Sequence, residues 1–340
     1  MSGFKTPSFW YREPGSATGL TEYALFPFSI LYGAGQKMRR QLSISERVSC
    51  PVVCVGNIVA GGSGKTPSVA ALWTLILESG IAETPWILTR GYGGTLSGPV
   101  LVDPTKHRAD QVGDEPLLLA ARGMRVVVCT DRVEGAWFAI KSGADLILMD
   151  DGFQNPRLHK DFSFLVIDGV SGLGNRSLLP AGPLREKPED AFARAQAVIL
   201  IGEDRTGVRS LLPPALPVFS AHIEPQKQPD QSGSYIGFAG LGRPEKFRST
   251  LKSLGLELKS FHGFADHHAY SADDFKMLFE EAENSSATLI TTEKDFMRLS
   301  SDMRMNVDFL PIELVFDDFA GLAALMRKGL VEANTGGEGK

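Results

Sequence analysis

The chain has 340 residues, a formal net charge of −5 and a pI near 5.8. That length leaves room for about two domains with an ample core, and the acidic balance excludes bulk attraction to nucleic acid. Its three cysteines, Cys50, Cys54 and Cys129, form no CxxC and no Cys/His cluster, which argues against a disulfide framework or structural zinc and fits a reducing cytosol.

The charge is uneven: residues 1–47 carry about +3 and the remainder about −8. Met1 to Arg12 lacks an apolar stretch and a small-residue cleavage site, so no signal peptide is expected. Phe9-Trp10-Tyr11 is followed by a Gly/Ser/Thr-rich turn. Then comes Leu20 to Leu42, apolar and aromatic at Tyr23, Leu25, Phe26, Phe28, Ile30, Leu31 and Tyr32, with Pro27 predicted to kink it and Lys37, Arg39 and Arg40 closing it. It is too interrupted to meet the ~20 apolar residues of a spanning helix. Two readings stay open: a helix lying in a membrane interface, aromatics among headgroups and cations on anionic lipid, or a helix docked on the protein's own core.

The sharpest feature is Pro51 to Pro67, PVVCVGNIVAGGSGKTP. Val52 to Val55 reads as a buried strand, and the apolar spacing after Ser68 as a helix running to Glu78. Strand, glycine loop, Lys-Thr and helix is the order of a phosphate-binding P-loop. The candidate phosphate ligands are Gly61, Gly62, Ser63, Gly64, Lys65, Thr66 and Pro67. Glycines let backbone N–H groups turn inward, Lys65 would reach the outer phosphates, Thr66 would ligate Mg²⁺, and Pro67 fits a first helical turn. Val59 stands where the strict pattern has glycine.

Onward to Gly202, strands are predicted at Trp86–Thr89, Arg125–Cys129, Leu146–Met149, Phe162–Ile167 and Ala197–Ile201, with helices such as Pro116–Arg122 and Arg132–Ser142 between them. That alternation predicts an α/β fold of P-loop NTPase type: a mostly parallel sheet with helices on both faces and ligands at the strands' carboxyl ends. The Pro-rich stretch 204–234 reads as a connection. A smaller α/β domain is predicted over 235–333, with strands Tyr235–Ala239, Thr288–Thr291 and Phe309–Val315 and helices Pro244–Leu254, Ala272–Glu283 and Phe319–Ala333. The division expected is thus 1–45, an interface segment; 46–203, the nucleotide core; 204–234, the connection; 235–333; and a disordered tail 334–340.

Leu146 to Asp151 is an apolar strand ending in two acids, the Walker B arrangement, which places Asp150 and Asp151 where Mg²⁺ would be held. Adjacent carboxylates repel unless a cation sits between them. Gly113-Asp114-Glu115-Pro116 opens a helix and reads from pattern alone as an N-cap. Phe264-Ala265-Asp266-His267-His268 precedes another helix and is a metal pair, a base–orienter pair or a loop with two solvated histidines. Arg90-Gly91-Tyr92-Gly93-Gly94, Leu179 to Glu186 and Thr291 to Asp295 are sites or plain turns.

Taken in order, GNIVAGGSGKTP, RGYGG, GDEP, DDGFQ, LLPAGPLRE, FADHH and TTEKD resemble the tetraacyldisaccharide 4'-kinase family of lipid A biosynthesis, over residues 8 to 330. The family's loop reads GN-x-x-x-GG-[ST]-GKTP, so Val59 is no departure. Asn155 stands where most members are expected to carry histidine, and no role is assigned to it. The resemblance implies ATP-dependent phosphorylation of a lipid A disaccharide precursor at the cytoplasmic face of a bacterial inner membrane, with ATP and Mg²⁺ and no protein or nucleic-acid partner. It implies Asp114 as the base and His267 as its orienter or proton partner, with Lys65 catalytic. Thr66, Asp150, Asp151 and Glu186 would be the Mg²⁺ group, and the interface reading of Leu20–Leu42 would be the one to expect. The rival is a membrane-associated P-loop switch ATPase, which carries a signature lysine where this chain has Ala60.

Overall fold

The computed structural model describes residues 7–12 and 19–335. The expected turn after Tyr11 and residues 336–340 of the expected tail lie outside the described residues; Asn334 and Thr335, expected to be disordered with it, are the last residues of a helix.

The strands are β1 (Val52–Gly56), β2 (Pro85–Thr89), β3 (Val100–Leu101), β4 (Val126–Val128), β5 (Leu146–Asp150), β6 (Phe162–Asp168), β7 (Ala197–Ile201), β8 (Val218–Pro225), β9 (Ser234–Ala239), β10 (Glu257–Gly263), β11 (Thr288–Thr292), β12 (Val307–Leu310) and β13 (Ile312–Phe316). The α-helices are α1 (Leu20–Leu42), α2 (Lys65–Glu78), α3 (Ala109–Val112), α4 (Asp114–Ala121), α5 (Arg132–Lys141), α6 (Pro188–Phe192), α7 (Pro244–Ser253), α8 (Ala272–Ser285), α9 (Glu293–Phe296), α10 (Ser301–Arg304) and α11 (Phe319–Thr335).

Nine strands form one sheet in the order β13-β8-β7-β6-β1-β5-β2-β4-β3. Only its edge pairs, β13–β8 and β3–β4, are antiparallel. The central strands are continuous apolar runs because both faces are covered. Val53 and Val55 point to a core shared with Val69, Leu72 and Ile76 of α2, Leu117 of α4 and Met326 of α11. Val52 and Cys54 point the other way, to Val133 and Ala136 of α5 and Phe192 of α6. A second, all-parallel sheet, β10-β9-β11-β12, packs Phe247 and Leu251 of α7 on one face and Leu278 and Ala282 of α8 on the other.

Two expectations need correction. Residues 204–234 are not merely a connection, because they contain β8, a strand of the large sheet. The expected strand Phe309–Val315 is two strands in different sheets. Pro311, which has no N–H to give a ladder, separates β12 from β13, and β13 returns to pair with β8. α11 follows it and packs on the large sheet, so neither belongs with the smaller one. α1 is one helix running through Pro27, which is exposed, so water can serve the carbonyl left without its donor.

Candidate active site

β1 ends at Gly56 and the chain turns through the glycine loop into α2. Gly64 has φ of +83°, and a Cβ there would lie 2.5 Å from Ile201, so glycine is required at the point where the loop becomes helix. Asn57 is fully buried; its amide donates to Val59 O and to Ser63 Oγ, each at 2.6 Å, and its Oδ1 accepts from Lys65 Nζ at 3.2 Å. One side chain therefore ties the loop's two ends to its lysine. Val59 is buried and bridges to Leu184, while Arg185 N donates to Ile58 O at 2.7 Å. The Leu179–Glu186 loop thus buttresses the phosphate loop at the position where the strict pattern would have glycine.

β5 lies beside β1 with Val55 opposite Asp150, so its acids emerge beside the loop. Asp151 has φ of +51° and accepts from Arg185 Nη1 at 2.9 Å, with Lys65 Nζ 3.8 Å away. Burial opposes its charge, but Lys65 and Arg185 hold its carboxyl below the usual range. Asp150 is buried and its Oδ1 has no hydrogen-bond partner among the described residues. Burial first, then the charges of Glu115 and Asp151, push its carboxyl up to about 7 against the pull of Lys65 and Arg132. An orphaned carboxylate oxygen is the kind of donor a hard divalent cation takes.

Glu186, expected in the same metal group, is spent elsewhere. It is 2% exposed; its Oε2 accepts from Arg40 at 2.6 Å and Arg194 at 2.5 Å, and its Oε1 accepts from Gln154 at 3.1 Å. Its geometry is that of a tie joining α1, the segment after α6 and Gln154, whose amide in turn donates to Asn57 O at 2.7 Å. Sequence spacing gave no hint of this, since Arg40 lies on the first helix.

Asp114 is the first residue of α4. Gly113 before it has φ of +93°, and a Cβ there would meet Tyr92 O at 2.7 Å, so α4 begins tightly against the loop just past β2. Asp114 therefore opens at the same carboxyl edge as Lys65 and Asp150. His267, in the loop before α8, brings Nδ1 to 3.3 Å from Asp114 Oδ2, and its ring meets Tyr92 edge-on at 5.5 Å. His268 points elsewhere and pairs with Asp274 of α8 at 3.0 Å. Lys294 Nζ lies 3.6 Å from Asp114 and 2.8 Å from Glu115. Arg298 donates from Nε to Asp114 Oδ2 at 2.9 Å. Burial works against the Asp114 charge, but His267, Lys294 and Arg298 overcome it and hold the carboxyl well below the carboxylate range.

Sequence pattern marks Arg132 only as the start of a helix, α5. It is 5% exposed, donates Nη1 to Cys129 O at 2.6 Å, and leaves Nε without a partner among the described residues. Arg298, which joins the two units, falls in none of the sequence motifs.

A phosphate loop with an acid strand beside it, together with a carboxylate–imidazole pair opening from the same sheet edge, has the parts of an ATP-dependent phosphotransferase acting on an alcohol. The match to a family extends well beyond the loop. The Tetraacyldisaccharide-1-P 4'-kinase (LpxK) profile covers residues 21–330. The chain is 45% identical to the tetraacyldisaccharide 4'-kinase of Parvibaculum lavamentivorans, over 94% of this chain and 96% of that one. It is 43% identical to that of Rhodospirillum centenum, over 92% and 93%. A crystal structure of LpxK from Aquifex aeolicus in complex with ATP superposes with a TM-score of 0.75 at 29% identity, covering 92% of this chain and 100% of that chain. The chain belongs to the tetraacyldisaccharide 4'-kinase family.

Proposed function

We propose that this protein transfers the γ-phosphoryl group of ATP to the 4'-hydroxyl of a tetraacyldisaccharide 1-phosphate, giving lipid IVA. Family membership supports the substrate pair. The observation that carries the chemistry is Asp114 paired with His267 at the carboxyl edge that also holds Lys65 and Asp150. Phosphoryl transfer asks for positioning and charge neutralisation more than for covalent chemistry.

In this reading the amides of Gly61 to Gly64 and the start of α2 bind the phosphates, and Lys65 bears on the outer ones. Thr66, Asp150 and Asp151 would hold Mg²⁺, which neutralises phosphate charge when bound. Arg132 adds a buried cation at the same edge. The acceptor hydroxyl attacks the γ-phosphorus, its proton passes to Asp114, and the bond to the β-bridging oxygen breaks as ADP leaves. His267 steadies the carboxylate and shares its proton.

α1 supports work at a membrane surface. Leu20, Tyr23, Phe26, Phe28, Ile30 and Leu31 are all more than half exposed, while its inward side carries Glu22, Ser29, Gly33 and Arg40. Ser29 Oγ donates to Leu178 O at 2.8 Å, and Glu22 accepts from Asn175 at 3.0 Å. A helix that docks by its polar stripe and leaves its aromatics outside fits an interfacial anchor. No helix among the described residues is long and apolar enough to cross a membrane. Seating on the cytoplasmic leaflet of the inner membrane, where ATP and the acylated acceptor meet, follows from this reading.

The test is incubation with the disaccharide acceptor and γ-labelled ATP, followed by chromatography of the lipid. A labelled glycolipid is expected. ATP turnover stimulated by any anionic vesicle, with no labelled lipid, would make the protein a switch ATPase instead.

A further inference from the structure

Asp114 has an asymmetry that the Asp114–His267 pair alone does not require. His267 Nδ1, Lys294 Nζ and Arg298 all address the same oxygen, Oδ2. No hydrogen bond among the described residues falls on Oδ1. Arg298 is the most constrained of the three. Its side chain is 7% exposed, and Nε and Nη2 both donate to Asp114 Oδ2. Nη1 turns the other way, to Asp295 Oδ1 at 2.7 Å and Gly240 O at 3.0 Å. Asp295 is fully buried and locked in turn: its Oδ2 accepts from Gly240 N at 3.1 Å and from Thr292 Oγ1 at 2.7 Å. The guanidinium is thus a rigid fork, fixed at one end to the second sheet and closed at the other on a carboxylate of the first.

We propose that Arg298 is the positioning residue for the base of this kinase: it clamps Asp114 Oδ2 from the second unit, so that Oδ1 alone is presented to the acceptor hydroxyl. The inference rests on Asp114 being the base. As the acceptor oxygen bonds to the γ-phosphorus and the β-bridging oxygen departs with its electron pair, the hydroxyl proton moves to Oδ1. A carboxylate free to rotate would offer either oxygen in many orientations, whereas a clamped one meets the hydroxyl in one. An arginine suits this because its planar fork fixes orientation as well as charge, which a lysine's point charge does not. Lys294, bridging Asp114 and Glu115, adds charge without orientation.

The charged and titratable groups facing Asp114 are Glu115 on its own helix, His267 before α8, and Lys294 and Arg298 on and just after α9, with Asp295 behind Arg298. Removing the Arg298 fork leaves Asp114 Oδ2 free to turn, so kcat should fall while the substrate affinities hold.

The experiment compares Arg298→Met, Arg298→Lys and Asp114→Asn in the full chain, with acceptor in mixed micelles and saturating MgATP. ATP affinity is measured separately. For Arg298→Met we expect kcat to fall about a hundredfold, with ATP Kd and acceptor KM each staying within about twofold. Arg298→Lys keeps the charge and should not restore kcat. A raised acceptor KM with kcat unchanged would reduce the residue to a binding contact. A tenfold weaker ATP Kd would make it a nucleotide contact. Either overturns the proposal. Should Arg298→Met not fold, Arg298→Lys decides: full kcat refutes the need for the fork, and low kcat with wild-type acceptor KM upholds it. The two layers separate cleanly. Asp114→Asn with near wild-type turnover sinks the base assignment itself, whereas an inactive Asp114→Asn beside a fully active Arg298→Met sinks only the clamp.

Discussion

His267 Nδ1 and Asp114 Oδ2 lie 3.3 Å apart although one residue precedes a helix of the smaller sheet and the other opens a helix on the larger. The pair exists only while the two units face each other, so acceptor activation is tied to their relative position. Asp114→Asn should lower kcat by about 10²- to 10⁴-fold with ATP affinity nearly intact. His267→Asn should cost less, and the double variant should fall short of the product of the two effects, since both act on one proton. Steady-state kinetics with a separate ATP titration checks this; multiplicative losses would mean independent roles.

Lys65 is held by Asn57 and flanked by Asp151, so it is preset toward the loop. Lys65→Ala should reduce transfer by about a thousandfold or more. Appreciable residual labelling of the lipid would count against the phosphate assignment.

Asp150 gives a pH-dependent signature. In the unfolded chain this carboxyl ionises near 4, but in the folded protein only at about 7. Between those values the folded state holds a proton that the unfolded state has lost. Stability from this group is therefore greatest below about pH 4 and declines as the pH rises to about 7. A divalent cation must displace that proton below pH 7 and need not above it. Mg²⁺ should accordingly raise Tm more at pH 8 than at pH 6. Asp150→Asn should raise the metal-free Tm at pH 8 and abolish the Mg²⁺ response. Calorimetric scans with and without Mg²⁺ at the two pH values provide the check.

Glu186 distinguishes a tie from a ligand. Glu186→Gln leaves two guanidinium groups facing a neutral amide and should destabilise the protein by about 3 kcal/mol in urea unfolding. Mg²⁺ affinity should stay within about twofold. A large loss of Mg²⁺ affinity would restore Glu186 to the metal group.

The outward face of α1 can be tested without touching the site. Each large apolar side chain moved from water into the interface contributes roughly 1 kcal/mol. Replacing Phe26, Phe28 and Leu31 together by serine should therefore weaken vesicle binding on the order of a hundredfold, with Tm unchanged because all three are exposed. Unaltered flotation with anionic vesicles would refute the anchoring role.

Features carried by local pattern were legible in the chain. The phosphate loop and the acid-ending strand β5 each combine an apolar run with glycine or carboxylate at a fixed offset. What escaped notice depends on contacts between distant segments. β8 is a partly exposed strand flanked by prolines, and its pairing with β7 and β13 leaves no local mark. The run from Val307 to Phe316 changes sheets at a single proline, which periodicity does not register. Glu186 sits in a loop of ligand-like composition, but two arginines from elsewhere claim it. Arg298 looks like any surface cation until β9 and α4 close around it.

The way β13 comes home has a consequence for how this enzyme can be taken apart. Ile312 sits opposite Pro225 in the antiparallel edge pair, and Gln226 N donates to Pro311 O at 2.9 Å. The chain thus leaves the nucleotide-binding sheet and re-enters it at neighbouring points, and the smaller sheet is spliced in between. Trimming from the carboxyl terminus would strip an edge strand and α11 from the larger unit before that smaller sheet was removed. Excision of 226–311 behind a tight turn is the cut the architecture permits, and it would leave a nucleotide-binding half lacking His267, Lys294 and Arg298.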